Sequence, residues 1–373
     1  MKPFQLAVLF ILATLILAGC WDKRNIKDTI IINGLTFDTF EEDPEMIQSS
    51  VRALNIQGSG GGKFNINDEL VTTEGKDVIE IDINFTNGIS GEMDISKAHV
   101  VVIGEDLAKS KGVLPLLEPV VRSRFGYISS KLLIAEGRGM DILSVQMDSS
   151  PIAFRLLKMF KSAEERTHIP DETVFSIWNT IEDVQRDPII PLVKKSGANE
   201  IEISGTALFN GDKYSGYSLS PEQSTLLLFM MDHFNKLNFF HIEHNEEDMS
   251  PFSIIINEVK QKKKLKLDEV NDVEEIVYEV DIKLLAEINN YGGSISKTDM
   301  KKFNSLASQY MTEKAKEVVN ILIAAESDVL GIQKEISVHY PQYLDNKEWK
   351  NVYSNIQIKP NITVEVTGSL NIK

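Results

Sequence analysis

The sequence predicts an α+β protein of two or three domains, with mixed or antiparallel sheets flanked by helices. The chain has 373 residues, 42% of them hydrophobic, which is enough for more than one core. Strand-like runs cluster instead of alternating regularly with helices. The second half reads β-β-β-α-β, an order that argues against a doubly wound sheet. Between the halves, DPIIPLVKKSGANE (Asp187–Glu200) carries two prolines and a glycine and shows no period, the composition of a boundary. The expected division is residues 20–195 and 196–373, the latter split again near Asn245 into a middle domain and the β-β-β-α-β unit.

The chain opens on MKPFQLAVLFILATLILAG, with Lys2 its one charge and an apolar or small run from Leu6 to Gly19. That is the layout of an export signal, and it is short of the roughly 20 apolar residues of a membrane span. Leu17-Ala18-Gly19-Cys20 resembles the lipobox of bacterial lipoproteins, and Cys20 is the sole cysteine. By that resemblance Cys20 receives a diacylglyceryl group and the signal is cut after Gly19. An ordinary cleaved signal, or an uncleaved anchor with an incidental cysteine, are the alternatives. Two acyl chains hold a protein stably at a membrane where one does not. Loss of residues 1–19 removes Lys2 and no acid, so the mature chain sets 38 Lys and Arg against 55 Asp and Glu, a net charge of −17. This balance excludes nucleic acid as a partner and is repelled by an anionic membrane. The lipid must therefore hold the protein there.

After a charged WDKRNIKD segment, TIIINGLTFD (Thr29–Asp38) reads as a buried strand, followed past an acidic loop by a second through Val51, Ala53, Leu54 and Ile56. GSGGGKFNIND (Gly58–Asp68) lacks the phosphate-loop pattern, having Gln57 and Phe64 where Gly and Ser or Thr are needed. A hairpin loop is the better reading. AHVVVIGEDLAKSKG is a strand that turns at Gly104 into a short helix ended by Gly112. YISSKLLIAEG is a further strand. Ser150-Pro151 opens a helix, and Val174, Ile177, Trp178, Ile181 and Val184 share one face of another.

The second half begins with a hairpin turning at Asn210-Gly211. A capping box at Ser220 to Gln223, with Pro221 in place, opens a helix of about 15 residues. HIEHNEED is an acidic linker. FSIIINEV, KKKLKLDEV and EEIVYEVDIKLLAEI are three strands. An amphipathic helix runs from Ser296 to about Ala325, with its apolar stripe from Phe303 to Leu322, and NITVEVTGSLNIK is the last strand.

These residues form no catalytic, cofactor or metal constellation. His241 and His244 are too few for zinc, which takes three or four ligands; His99 and His168 are isolated. There is no G-x-S-x-G elbow and no H-E-x-x-H. Glu164 and Glu165 are adjacent on a helix and so splay apart. The basic run Lys260–Lys266 suits lipid headgroups or an acidic partner, but an edge strand kept from pairing by lysine is the simpler account.

The lipobox leading into Cys20-Trp21-Asp22 and the strand ending GLTFD resemble the C-subunit lipoproteins of bacterial spore germinant receptors, the Ger(x)C family. So do AHVVVIGEDLAKSKG, EPVVRSRFGY, LLIAEGRGMDIL, GTALFNGDKYSGYSLSPEQ, ESDVLGI and YPQYLDNKEW. The glycine-rich Gly58–Gly62 stretch and Ser123 depart from the pattern. The resemblance implies a non-enzymatic, lipid-anchored subunit without cofactors, on the outer face of the spore inner membrane. Its partners would be two integral membrane subunits, A and B, in a complex that answers nutrient germinants and starts germination. It implies three α/β domains, and among residues only Cys20 carries over with a defined role. Other classes fit the anchor: a solute-binding lipoprotein of an importer, which needs strand–helix alternation in two lobes, and a cell-wall hydrolase, which needs paired carboxylates or metal ligands.

Overall fold

The structure is a computed structural model describing residues 29–58, 64–123, 126–146, 150–183, 186–236, 238–244, 250–270, 273–291, 297–345 and 347–369. Two mixed sheets with flanking helices are observed, as the fold class anticipates. In the larger, strands β1 (Thr29–Thr39), β2 (Ile47–Gly58) and β3 (Phe64–Gly75) form an antiparallel meander. β4 (Glu92–Asp94) pairs with the start of β1. β5 (Val100–Gly104), β6 (Lys131–Ala135) and β7 (Ile189–Lys195) then continue from β1 in parallel, and β8 (Ile201–Asn210) and β9 (Lys213–Leu219) close the sheet antiparallel.

Helices cover both faces, so the central strands are apolar throughout. Val101, Ile103, Leu132 and Ile134 pack under α1 (Val78–Gly88), α2 (Glu105–Ser110), α3 (Leu114–Arg122) and α6 (Val174–Glu182). Their neighbours Val100, Val102, Leu133 and Ala135 face the opposite way, onto α4 (Gly139–Leu143) and α5 (Ile152–Glu165). α6 is opened by a reciprocal capping box between Thr173 and Ser176. The cap of α5 is Pro151, and Ser150 makes no side-chain cap bond, contrary to expectation.

Asp187–Glu200 differs most from its aperiodic reading: Ile189–Lys195 is β7, a buried strand of the larger sheet. Its prolines are compatible with this because one lies before the strand and Pro191 precedes Leu192 and Val193, the residues through which β7 pairs with β6. The Gly211 turn is as expected, with φ of +61°, and the Ser220–Gln223 capping box is present in both directions. The helix it opens, α7 (Pro221–Met230), has 10 residues instead of about 15.

The smaller sheet is β10 (Asn238–Ile242), β11 (Phe252–Val270), β12 (Val273–Asn290) and β13 (Gln357–Ser369). Two corrections apply. Part of the expected linker HIEHNEED belongs to β10, and FSIIINEV with KKKLKLDEV is one strand of 19 residues. β-β-β-α-β survives with a different first strand. In β12 the even positions from Ile276 to Ile288 are buried while Glu275, Asp281 and Lys283 face outward, the alternation of a sheet covered on one face. Helix α8 (Lys297–Ala324) covers it with Phe303, Ala307, Met311, Ala315, Val318 and Leu322. α9 (Ile332–His339) and α10 (Trp349–Tyr353) complete the crossover to β13, which lies parallel to β12.

The free edge of β13 is sealed by α8. The N–H groups of Ile362, Val364 and Val366 donate to Thr312 Oγ1 (3.0 Å), Ser308 Oγ (2.8 Å) and Asn304 Oδ1 (2.9 Å). Four helical residues rise about 6.0 Å and two strand residues about 6.6 Å, so a polar stripe at every fourth position meets every second strand N–H. On the other edge, β10 covers β11 only from Phe252 to Ile256. The lysine run follows on the uncovered length, where Lys260 pairs with Glu258 (2.7 Å) and Lys266 with Glu279 (2.5 Å).

Candidate functional site

Leu17, Ala18, Gly19 and Cys20 lie outside the described residues, as do residues 59–62 of the glycine-rich stretch. Among the described residues no three His, Cys, Asp or Glu side chains gather as metal ligands, and no helix is long and apolar enough to cross a membrane. His241 lies beside Ser253 on the neighbouring strand (3.2 Å) and His99 packs against the Phe154 ring (4.7 Å). Glu164 is buried against Lys131 (2.8 Å), whereas Glu165 reaches Lys236 (3.0 Å) on the surface.

The segments singled out in the sequence meet at two places. At the first, Asp38, at the end of GLTFD, accepts from the backbone N–H of Gly139 (2.6 Å) and Met140 (2.9 Å) and so caps α4. Burial pushes its carboxyl up, and the two N–H groups oppose that. Gly104 lies directly against it: a Cβ there would sit 2.3 Å from Asp38 Oδ1. Glu105 and Gly137 hold each other reciprocally, Gly137 N–H donating to Glu105 Oε1 (2.8 Å) and Glu105 N–H to Gly137 O (3.1 Å). GLTFD, VVVIGED and AEGRGMD therefore form one lock at the ends of three parallel strands.

At the second, Asp187 accepts from Gly211 N–H (2.7 Å) and Asp328 N–H (2.6 Å), while its own N–H donates to Asp328 O (3.2 Å). Asp328 in turn accepts from Ile332 N–H (2.9 Å) and Gln333 N–H (2.8 Å) at the start of α9. Ser327 Oγ donates to Phe209 O, and Tyr353 Oη to Ser327 O (2.7 Å). FNGDK and ESDVLGI are thus a joint between the larger sheet and the helices of the smaller one. Asp328 is 2% exposed; burial first, and the nearby Asp187 carboxylate with it, push its carboxyl up to about 7 against the backbone donors.

A third feature escaped the sequence reading. An apolar cavity of about 340 Å³ opens between α1 and the larger sheet. Leu35, Phe37 and Val51 form its floor, Val78, Ile81 and Phe85 of α1 one wall, and Pro119, Val120 and Tyr127 the other. Gly126 brings Tyr127 in, since a Cβ there would sit 2.0 Å from Val120 O. The Tyr127 hydroxyl is buried with no hydrogen-bond partner among the described residues. The signal was present in VIEIDINF, whose apolar–polar alternation from Ile79 to Phe85 is that of a strand, although Asp77 caps it as a helix through the N–H groups of Ile79 and Glu80. A helix with that pattern buries Ile81 and Phe85 and turns Ile79 (62% exposed) and Ile83 (54% exposed) outward.

Comparison with known proteins agrees over nearly the whole chain. The family model for the spore germination protein N-terminal domain matches residues 22–195, and that for the B3/GerAC-like spore germination C-terminal domain matches residues 204–369. Spore germination protein GerQC of Bacillus cereus is 21% identical across 97% of this chain and 98% of its own. Spore germination protein KC of Bacillus subtilis (strain 168) is 30% identical across 29% of this chain and 28% of its own. The crystal structure of the GerBC protein has the same fold, with a TM-score of 0.58 at 15% identity over 90% of this chain and 97% of that one. With the locks at Asp38 and Asp187 built from the segments that first suggested it, the chain belongs to the Ger(x)C family of spore germination proteins.

Proposed function

We propose that this protein is the lipid-anchored, non-enzymatic C subunit of a nutrient germinant receptor. It would lie on the outer face of the spore inner membrane beside integral membrane A and B subunits. The observation that carries this is the place of the sole cysteine: Cys20 follows Leu17-Ala18-Gly19, two residues before the family match begins at Asp22. Cleavage after Gly19 then leaves the matched residues 22–195 and 204–369 whole, within regions 20–195 and 196–373. Two acyl chains on Cys20 supply the membrane affinity that a surface of net charge −17 opposes. The subunit acts by contact with its partners.

Fractionation of spore inner membranes tests the anchor. The protein should be membrane-bound and begin at a diacylated Cys20 by intact mass, and Cys20→Ala should lose both lipid and cleavage. A Cys20→Ala protein that is still cut and still membrane-bound would overturn the anchor. A cross-linked pull-down tests the assembly: two integral membrane proteins from the same operon support it, and a transporter permease with its ATPase refutes it in favour of a solute-binding lipoprotein.

A further inference from the structure

We propose that the cavity between α1 and the larger sheet is a binding site for a small primary amine carrying a compact branched or aromatic body. At about 340 Å³ it falls within the range of small-molecule sites, and its lining is mostly apolar, with Ser49, Asp82, Thr86, Ser123 and Tyr127 as its polar side chains. Of these, the Tyr127 hydroxyl is buried without a hydrogen-bond partner among the described residues, in a residue only 4% exposed. A buried polar atom without a partner costs free energy that a ligand recovers. Asp82, on the same lining, has no donor or cation on its carboxylate among the described residues. The residue is exposed along the helix, yet partial burial of the carboxyl raises its pKa, and its charge is felt at Tyr127. A carboxylate offers only acceptors and an ammonium only donors. One ammonium therefore satisfies both Asp82 and the Tyr127 oxygen, while its hydrocarbon body replaces water against Leu35, Phe37 and Phe85.

Helix α1 supports a ligand over simple packing. Its alternating sequence conflicts with its helical state and leaves Ile79 on the cavity lining 62% exposed. Such conflicts between local preference and adopted structure concentrate at functional sites.

The test uses the full mature protein in lipid nanodiscs, with empty nanodiscs as blank. Isoamylamine, cyclohexylmethylamine and 2-phenylethylamine are titrated by calorimetry and ligand-observed NMR beside the matching alcohols. At least one amine is expected to bind saturably and better than its alcohol. Tyr127→Phe should weaken it about tenfold and Asp82→Asn by more, the worth of a hydrogen bond to a charged group. Ile83→Ser, off the cavity lining, should leave binding unchanged. Tyr127→Phe removes only an unpartnered hydroxyl, so its melting temperature should not fall, which separates loss of binding from loss of fold. Equal binding of alcohols and amines overturns the amine assignment. Binding unaffected by either lining variant overturns the location. Failure of every amine, including the case where an apolar helical peptide binds instead, overturns the site as one for small molecules. Binding is read on the protein itself, so this result is separable from the pull-down that tests the receptor assignment.

Discussion

The lock at Asp38 makes a prediction that single substitutions cannot counterfeit. Asp38→Ala strips the acceptors from Gly139 N–H and Met140 N–H. Leaving a buried donor unmade costs roughly 1–3 kcal/mol. Part of that is returned, because burial already disfavours the Asp38 carboxylate, so a loss of about 2 kcal/mol is expected. Gly104→Ala should cost about 2–3 kcal/mol by overpacking, since its Cβ would lie 2.3 Å from Asp38 Oδ1. Without the carboxylate, the nearest remaining atom is Gly137 O at 3.2 Å. Adding Gly104→Ala to Asp38→Ala should therefore cost under about 1 kcal/mol, a coupling of about 2 kcal/mol, within the range of residues in direct contact. The assay is a double-mutant cycle by urea unfolding of the purified mature chain, followed by circular dichroism. Additivity within about 0.5 kcal/mol would refute the claim that Gly104 is glycine to admit the Asp38 carboxylate.

Other perturbations follow from the same structure. Because the native state holds the Asp328 proton at about 7, against an unfolded value of 3.8, the folded chain binds more protons between them. The stability from this group is present below 3.8 and lost as pH rises towards 7. Asp328→Asn should make the fall in urea midpoint between pH 4.5 and 7.5 shallower, and an unchanged slope would place the titration elsewhere. Arg52, 4% exposed, donates to Leu143 O (2.7 Å) and Val145 O (3.3 Å). Arg52→Met should cost about 2–4 kcal/mol, and Arg52→Lys should not rescue it, since an ammonium lacks the fork; a thermal melt within a degree of the parent would exclude this. Removing the polar stripe of α8 in an Asn304→Ala, Ser308→Ala, Thr312→Val variant should cost about 3 kcal/mol at about 1 kcal/mol per bond. Hydrogen exchange should accelerate at Ile362, Val364 and Val366, and unchanged protection there would show that these bonds do not seal the edge.

What the sequence revealed follows the physics of each signal. β5 and β6 were legible because strands covered on both faces are nearly all apolar, β1 by its β-branched run, α6 by the shared face of Val174, Ile177, Trp178 and Ile181, and α7 by the cap at Ser220. β7 was hidden by Pro191 and its short length, and β10 by the charge around His241 and His244. FSIIINEVKQKKKLKLDEV was divided because its composition changes from isoleucine to lysine. The structure shows that this change marks where β10 stops covering the strand. The two locks were visible as motifs but not as contacts. Their bonds join side chains to backbone groups distant in sequence, 101 residues apart for Asp38 and Gly139 and 141 for Asp187 and Asp328.

That kind of bond also tolerates change in the side chains around it. Asp38, Asp187, Asp328, Ser327 and Tyr353 all reach main-chain groups, so they fix where the backbone lies while leaving most neighbouring side chains free to vary. Helix α1 is built on the opposite terms. Its sequence alternates as a strand does, and the helical state holds two isoleucines more than half exposed. Burying such a side chain is worth roughly 1.5–3 kcal/mol, so the helix forgoes a sizeable fraction of that at each. An amphipathic helix of ordinary pattern would have avoided the loss. The backbone locks hold the scaffold, and the strained choice of sequence falls on a helix that walls the cavity, which is where a ligand would return what the fold gives up.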